Sequence, residues 1–260
     1  MDHEEFRRWS TIAAEWGADY RATLRDRPVR AQTAPGGIAA RIAPHPPERG
    51  EPMEAIFADF EAIILPGMTH WQHPRFFAYF PANAAPASVI AEYLVTAMAA
   101  QCMLWQTSPA ATELETRMVG WMREAVGLPE SFRGVIHDSA STATLAAIVT
   151  MRERALHWQG NRRGLSGQAP VRVYCSAHVH SSIDRAIWIA GIGEEHLVRI
   201  PVTGPMHSMD PAVLETAIER DLAAGMIPAG IVAAVGGTSI GATDDIAAVC
   251  AVAERHGLHV

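Results

Sequence analysis

The chain has 260 residues, of which 49% are hydrophobic and 19% are charged, so it is long and apolar enough to bury a sizeable core. Its formal net charge of −7 argues against nucleic acid or an anionic membrane as the main partner. All 21 basic residues are arginines, so these residues cannot complete a mechanism that needs a lysine amine.

The N-terminus and the cysteines bear on the cellular compartment. The first ten residues begin with acids and have no apolar core region, so no secretory signal is visible. The three cysteines stand at unrelated spacings, which fits a reducing compartment. The most apolar window, 84–105, contains proline, glutamate and glutamine and is typical of a core helix rather than a membrane span. We therefore predict a cytoplasmic protein.

The first 65 residues predict helices with proline-rich joints. Aromatic and apolar residues recur at helical spacing from Phe6 to Trp16, and a second helix is predicted from about Met53 to Ile64. A helical hairpin this thin has no core of its own. It should lie on a larger body or on a partner subunit, which predicts a homodimer.

The segment 69–85 is dense in aromatic residues and prolines and has no clean period. It is either an irregular core segment or an aromatic pocket wall for a flat organic group. His70 and His73 are three residues apart, but no carboxylate or cysteine completes a ligand set there, so a metal site is not expected.

Two further helices are predicted before the central motif. One runs from about Ala87 to Leu104. The other runs from Pro109 to Val126, with Ser108 as its N-cap and Gly127 at its end.

The stretch Gly134–Ile148 predicts a buried strand, with Val135 and Ile136 as its apolar part, that runs into a helix. Between the two lie small polar residues that are suited to cap free amides: Asp138, Ser139 and Ser141. The first turn of such a helix also attracts anions, so a phosphate is the alternative to an ordinary Ser/Thr cap.

After this stretch, strands and helices alternate. Strands are predicted at 171–176, 197–202, 230–237 and from 258 onward, and helices at about 181–190, 211–224 and 244–256. This alternation predicts a mainly parallel, helix-covered α/β sheet, in which ligands gather beyond the carboxyl ends of the strands. Three polar clusters fall at those ends, at 138–141, 176–182 and 236–238.

Several motifs are set aside. Residues 237–241 match G-x-S-x-G, but the next helix begins too late for the tight elbow of a hydrolase. His178 and His180 are spaced as a possible metal pair, but no further ligands stand at metal spacing.

The sequence as a whole resembles the group II pyridoxal-5′-phosphate-dependent decarboxylases, in the aromatic-L-amino-acid decarboxylase branch. The stretches that carry this resemblance are HPRFFAYFPANAAP at 73–86, LWQTSPAATELE at 104–115, DSASTATLAA at 138–147, AHVHSSIDRA at 177–186 and GGTSIGATDD at 236–245. The resemblance implies the large domain of fold-type I (aspartate aminotransferase-like) pyridoxal-phosphate enzymes, with 1–85 as an N-terminal helical segment that packs on a dimer partner and 86–260 as the first part of that domain.

The resemblance also implies roles for individual residues. The cofactor phosphate is held at Ser139, Ala140 and Ser141; His180 stacks on the pyridine ring and approaches the reacting carbon. Thr238 lies near the phenolic oxygen of the ring, and Asp244 has a supporting role. The substrate pocket is lined by Trp71, Tyr79, Phe80, Ala82, Gln101 and Met103.

Some positions depart from the family pattern. Ala82 stands where many relatives have threonine, and Gln101 and Met103 stand where hydrophobic or aromatic residues are common, which leaves the preferred amino acid open. The ring-nitrogen aspartate of the family is expected directly after Val260, and its Schiff-base lysine further along. We therefore interpret the chain as the N-terminal part of a homodimeric decarboxylase of aromatic L-amino acids. The alternatives are a catalytically silent binding or assembly subunit, or a decarboxylase of a non-aromatic amino acid.

Overall fold

The structure, a computed structural model, describes residues 1–80 and 84–260. The chain divides into two units, Met1–Ala99 and Ala100–Val260. The sequence-based division after residue 85 assigns the helix Pro86–Met98 to the second domain, whereas this helix falls within the first unit. No helix among the described residues is long and apolar enough to cross a membrane.

The first unit is helical, as predicted. Helix α1 spans His3–Ala22, and α2 spans Met53–Asp59 and continues as a π-helix through Phe60–Ile64. Aromatic rings join the two, with Trp9 5.5 Å from Phe57 between centroids. The apolar residues of this unit that are buried in the described structure are Trp9 and Leu24, which agrees with a hairpin that lacks a substantial core.

Helix α3 spans Pro86–Met98 and ends earlier than predicted. Ala99 adopts a left-handed conformation with φ 48°, which turns the chain out of the helix. The hydroxyl of Thr107 then hydrogen-bonds the carbonyls of Gln101 and Leu104, so the residues predicted as the last turns of this helix form a local turn instead.

Helix α4, Pro109–Ala125, ends as the sequence indicates. Gly127 has φ 72°, and the N–H of Leu128 donates to the carbonyl of Arg123 over 3.0 Å. This is the bonding pattern of a helix end at which glycine takes the left-handed position.

The strand predicted at Val135 and Ile136 is absent from the described structure. These side chains are 64% and 58% exposed, and the N–H of Ile136 donates to the carboxylate of Glu115 rather than to a strand. A strand exists only when a neighbouring strand pairs with it, and none does so here. The helix that follows, α5 at Ala140–Ala155, is confirmed.

The second unit is built on a parallel sheet. Strands β1 (Val171–Ser176), β2 (Leu197–Ile200) and β5 (Ile227–Val232) lie in the order β2-β1-β5, and Gly230 forms a parallel bridge to His259. A short antiparallel hairpin joins β3 (Val202–Thr203) and β4 (Ser208–Met209). The helices are α6 (Gly160–Arg163), α7 (Ser182–Ile189), α8 (Pro211–Ala223) and α9 (Ile246–His256).

Two strand boundaries differ from the prediction. β2 stops at Ile200 because Pro201 cannot donate to the ladder, and Val202 instead pairs with Met209 in the hairpin. β5 starts and ends earlier, since the chain from Ala234 onward turns back on itself with Gly236 at φ 73° and Gly241 at φ 65°.

Helices cover both faces of the sheet. Val173 faces a core formed with α5 and α7, and the next residue, Tyr174, faces a core formed with α8 and α9. This alternation follows from the two-residue period of a strand, and it confirms the predicted helix-covered parallel sheet.

Candidate functional site

The carboxyl ends of the strands bring two loops to one edge of the sheet. β1 and β5 are adjacent and parallel, so the segment after Ser176 and the segment after Val232 leave the sheet on the same side. Such an edge is where parallel α/β sheets bind ligands. His180 lies in the first of these loops, and Thr238 lies in the second.

At the start of α5, one backbone N–H is capped by a side chain and two others have no hydrogen-bond acceptor among the described residues. Ser139 Oγ accepts a hydrogen bond from the N–H of Thr142 over 3.3 Å and lies 3.0 Å from Thr142 Oγ1. Within the described residues, the N–H groups of Ala140 and Ser141 have no acceptor, and all three residues from 139 to 141 are exposed. These open amides and the positive end of the helix dipole suit an anion such as a phosphate.

Helices α5 and α7 run in the same direction on the same face of the sheet. Ile148 of α5 and Ile183 of α7 belong to one buried cluster. At the C-terminal ends, the guanidinium of Arg152 donates to the carbonyl of Ala190, which caps α7. The N-terminal ends of the two helices, with Ser139 and His180, therefore lie at the same end of this pair.

His180 lies in the loop just before α7 and is held through one ring nitrogen. Its Nδ1 accepts a hydrogen bond from the backbone N–H of Ser182 over 3.2 Å and lies 3.0 Å from Ser182 Oγ. No hydrogen bond among the described residues uses Nε2. Ser182 was not singled out from the sequence, although a serine two residues after histidine at a helix start is the available signal.

Thr238 lies at the tip of a narrow hairpin. The N–H groups of Gly236 and Gly237 both donate to the carbonyl of Ala242, and Gly241 donates to Gly237 over 2.7 Å. Thr238 itself is exposed. The hairpin also argues against a hydrolase nucleophile elbow at the G-x-S-x-G motif, because Ser239 lies in this turn and α9 begins only at Ile246.

Asp244 fixes the base of that hairpin. It is 3% exposed; Oδ1 accepts the N–H of Met209 and Oδ2 accepts the N–H of Ala234, each over 2.6 Å. Both oxygens are therefore engaged by the backbone, and the carboxylate joins β4 to the loop that follows β5.

The aromatic candidates belong to the first unit. The ring of Trp71 stacks with that of Phe76, at 5.0 Å between centroids, and with that of Tyr79, at 5.6 Å. Tyr79 is 73% exposed and has φ 56°, a conformation that side chains with a Cβ seldom adopt. Phe80 is exposed as well, and Ala82 lies outside the described residues.

The remaining two candidates open the second unit. Met103 is exposed, and Gln101 lies in the turn closed by Thr107.

The fold and site together define an α/β domain with a parallel sheet and, at the start of α5, two exposed N–H groups without an acceptor among the described residues. The model of the pyridoxal-dependent decarboxylase conserved domain matches residues 35–260, so the chain belongs to this family.

Named relatives agree with the family. The chain is 38% identical to a tyrosine decarboxylase of Oryza sativa subsp. japonica, over 99% of this chain and 49% of that protein. It is 36% identical to a phenylacetaldehyde synthase of Arabidopsis thaliana, over 99% of this chain and 53% of that protein. The chain spans about half the length of the curated relatives it matches.

Solved structures match as well. Catharanthus roseus tryptophan decarboxylase in complex with L-tryptophan superposes with a TM-score of 0.91 at 33% identity, over 99% of this chain and 56% of that one. Oryza sativa TDC with PLP and tryptamine superposes with a TM-score of 0.92 at 31% identity, over 100% of this chain and 55% of that one. These matches agree with the fold class predicted from the sequence.

Proposed function

We propose that this chain is the amino-terminal part of a pyridoxal-phosphate-dependent enzyme that decarboxylates an aromatic L-amino acid of the tryptophan, phenylalanine, tyrosine or DOPA class. The products would be the corresponding amine and carbon dioxide. The observation that carries this proposal is the start of α5, where the exposed amides of Ala140 and Ser141 lie at the same end of the helix pair as His180. The names of the relatives, which include tyrosine and tryptophan decarboxylases, support the substrate class.

The residues present fit the cofactor. A phosphate would be held by the amides of Ala140 and Ser141 together with the hydroxyls of Ser139 and Ser141, without any need for lysine. The imidazole of His180 would lie against the ring, and Thr238 would approach its phenolic oxygen. Asp244 would act indirectly, because its two oxygens already hold the loop that carries Thr238.

The chemistry divides between cofactor and protein. When bound, pyridoxal phosphate supplies an electron sink for the pair left on Cα when carbon dioxide departs. The protein orients the substrate. A clamped phosphate and the stacked imidazole of His180 would fix the plane of the cofactor ring, so that the bond between Cα and the carboxylate can be held perpendicular to that plane. A proton must then return to Cα, and His180 or a tyrosine outside this chain would deliver it.

The aromatic side chain of the substrate would contact the stack formed by Trp71 and Tyr79, with Phe80, Ala82, Gln101 and Met103 as further pocket positions. Flat rings pack well on exposed aromatic faces, whereas an acidic substrate would find no cation in this set.

The assembly and location are part of the proposal. We propose a cytoplasmic homodimer with the active site at the subunit interface, because the first unit has little buried apolar area and exposes much of α3. The lysine and the ring-nitrogen aspartate that the family requires would come from polypeptide beyond Val260.

The test is a product assay on the polypeptide encoded by the complete gene. The purified protein is incubated with L-tryptophan, L-tyrosine, L-phenylalanine, L-DOPA and, as the non-aromatic control, L-glutamate, and amines and aldehydes are measured by mass spectrometry. Amine from at least one aromatic substrate is expected. Turnover of glutamate alone would favour the non-aromatic alternative, and a protein that binds no pyridoxal phosphate would favour a silent assembly subunit.

A further inference from the structure

Ser182 is the first residue of α7, and it is 7% exposed. Its Oγ is 3.0 Å from His180 Nδ1, and its backbone N–H donates to the same nitrogen over 3.2 Å. A buried hydroxyl requires a hydrogen-bond partner, and among the described residues the imidazole of His180 is that partner. The two side chains therefore satisfy each other at the start of this helix.

The direction of the backbone contact decides where the imidazole carries its hydrogen. A backbone N–H can only donate, so the nitrogen that receives it must offer a lone pair. A neutral imidazole with a lone pair on Nδ1 carries its hydrogen on Nε2. The opposite tautomer would bring two N–H groups face to face at Nδ1.

We infer that Ser182 is a positioning residue, which holds His180 in the tautomer with hydrogen on Nε2 and fixes the orientation of its ring. The backbone N–H selects the tautomer, and the hydroxyl, the shorter of the two contacts, restrains the ring about its own axis. The inference rests on the proposed function for its catalytic meaning, but the tautomer itself is a property of these two residues.

The consequence is that His180 presents a donor edge to the site. Nε2 has no hydrogen-bond partner among the described residues, so its N–H is free to donate to an anionic atom of a bound ligand, such as the carboxylate of an amino acid. In this tautomer His180 cannot accept a proton through the same nitrogen. Nε2 of His180 then orients the substrate by donating a hydrogen bond, and it does not act as a base that removes a proton from the substrate.

The test measures the tautomer directly in the full-length polypeptide. The protein is labelled with histidine carrying ¹⁵N in the ring, and solid-state NMR spectra are compared with those of His180→Gln, which identifies the His180 signals by their loss. We expect Nδ1 without hydrogen and Nε2 with hydrogen in the native sequence. A hydrogen found on Nδ1 of the neutral ring would overturn the inference, whatever the activity of the protein.

Variants of the two adjacent serines give matched controls. Ser182→Ala keeps the backbone N–H that selects the tautomer but removes the hydroxyl that restrains the ring, so we expect Nδ1 still without hydrogen and broadened His180 signals. Ser182→Thr is expected to restore the native spectrum. Ser181→Ala removes an exposed hydroxyl that contacts Arg185 and leaves the His180 signals unchanged. If Ser182→Ala and Ser181→Ala give the same spectrum, the hydroxyl has no positioning role.

A kinetic measurement connects the position of the His180 ring to catalysis. With an aromatic substrate, Ser182→Ala should lower kcat about fivefold, the effect of one lost neutral hydrogen bond, and leave KM within roughly a factor of two. A native tautomer in a protein without decarboxylase activity would contradict the proposed function and leave the positioning role standing. An unchanged kcat in Ser182→Ala protein with broadened His180 signals would overturn the catalytic meaning alone.

Discussion

At the scale of single residues, the buried carboxylate of Asp244 is the contact that we expect to matter most for stability. Asp244→Asn keeps one acceptor but turns an NH₂ group toward a backbone N–H, so a charge-assisted hydrogen bond becomes a repulsive contact. We expect a loss of about 2–3 kcal/mol in the free energy of unfolding, measured by urea denaturation.

The neighbouring Asp245 provides the control for this substitution. It is exposed, and its Oδ1 accepts the N–H of Ala248 at the start of α9, a cap that asparagine makes equally well. Asp245→Asn should therefore leave the unfolding midpoint unchanged. Equal effects of the two variants would mean that the burial of Asp244 has no energetic importance.

A second residue-scale feature is the buried histidine pair of the first unit. His70 Nδ1 lies 2.7 Å from the hydroxyl of Tyr20, and His73 lies beside it. Burial, and then the nearby Arg27 and His73, lower the pKa of His70 below its ordinary value of 6.5. The unfolded chain thus binds a proton that the folded chain resists, so stability falls as the pH drops below about 6.5.

The lowered pKa of His70 predicts how the melting temperature depends on pH. The melting temperature should decrease between pH 7.5 and pH 5, and His70→Asn should flatten part of that decrease, because asparagine does not titrate. His45→Asn, at an exposed histidine of the same unit, should leave the slope unchanged. A slope that is the same in all three proteins would assign the pH dependence to other groups.

At the scale of elements, the start of α5 separates a plain helix cap from a phosphate site. Aspartate caps a helix as well as serine does and favours the helix dipole, so Ser139→Asp should leave stability unchanged. Its negative charge would repel a phosphate, so the affinity of the full-length protein for pyridoxal phosphate should fall at least about tenfold. Titration followed by absorbance measures this effect.

Ser139→Asn is the matched variant, since asparagine is also a good cap but carries no charge. It should bind the cofactor far more tightly than Ser139→Asp does. If aspartate and asparagine affect binding equally, then α5 starts with an ordinary cap and the phosphate is held elsewhere.

β5 contains a glycine whose role is close packing. A Cβ at Gly230 would lie 2.7 Å from Met151 Sδ and 3.0 Å from the carbonyl oxygen of His259. Gly230→Ala should therefore cost roughly 1–3 kcal/mol of stability through displacement of α5 or of the His259 segment. Thermal denaturation measures the change.

For Gly120, inside α4, we expect substitution by alanine to change stability in the opposite direction. A Cβ there meets nothing within 4 Å, so Gly120→Ala should stabilise the protein by up to about 1 kcal/mol through the helix propensity of alanine. Destabilisation of both variants would indicate that α4 packs closely against another surface in the full-length protein.

At the scale of the whole molecule, the chain exposes many large apolar side chains. In the first unit they lie along α3, where Ile90, Tyr93 and Met98 are all exposed. In the second unit, apolar residues of α4 and of 126–136 line an open groove of about 270 Å³. Surfaces of this kind are usually covered by another part of a protein or by a second subunit.

We therefore expect two different behaviours in solution. The 260-residue chain produced alone should bind a hydrophobic dye strongly and self-associate, whereas the full-length polypeptide should elute as a homodimer with weak dye binding. Light scattering coupled to gel filtration measures both masses. A monodisperse, dye-free 260-residue monomer would contradict the interpretation of these surfaces as covered interfaces.

Much of this architecture follows from local sequence. The period of the apolar residues and the caps at Ser139 and Asp210 define the helices, and the alternation of strands with helices defines the parallel, helix-covered sheet. The cluster at 139–141 could be named as a candidate because small polar residues stand at the start of a predicted helix, whereas His180 was named through the family resemblance. These are short-range signals, and a single segment carries each of them.

Tertiary structure decided the features that depend on a partner. Val135 and Ile136 have strand-like sequence, but no strand among the described residues pairs with them, so they remain exposed. The loop after β5 turns back because Asp244 binds amides on two separate segments, and Nδ1 of His180 accepts the N–H of Ser182. Sequence by itself determined which elements form, since that depends on neighbours along the chain. Which atoms meet between them was decided by the fold, because hydrogen bonds and packing depend on distance in space.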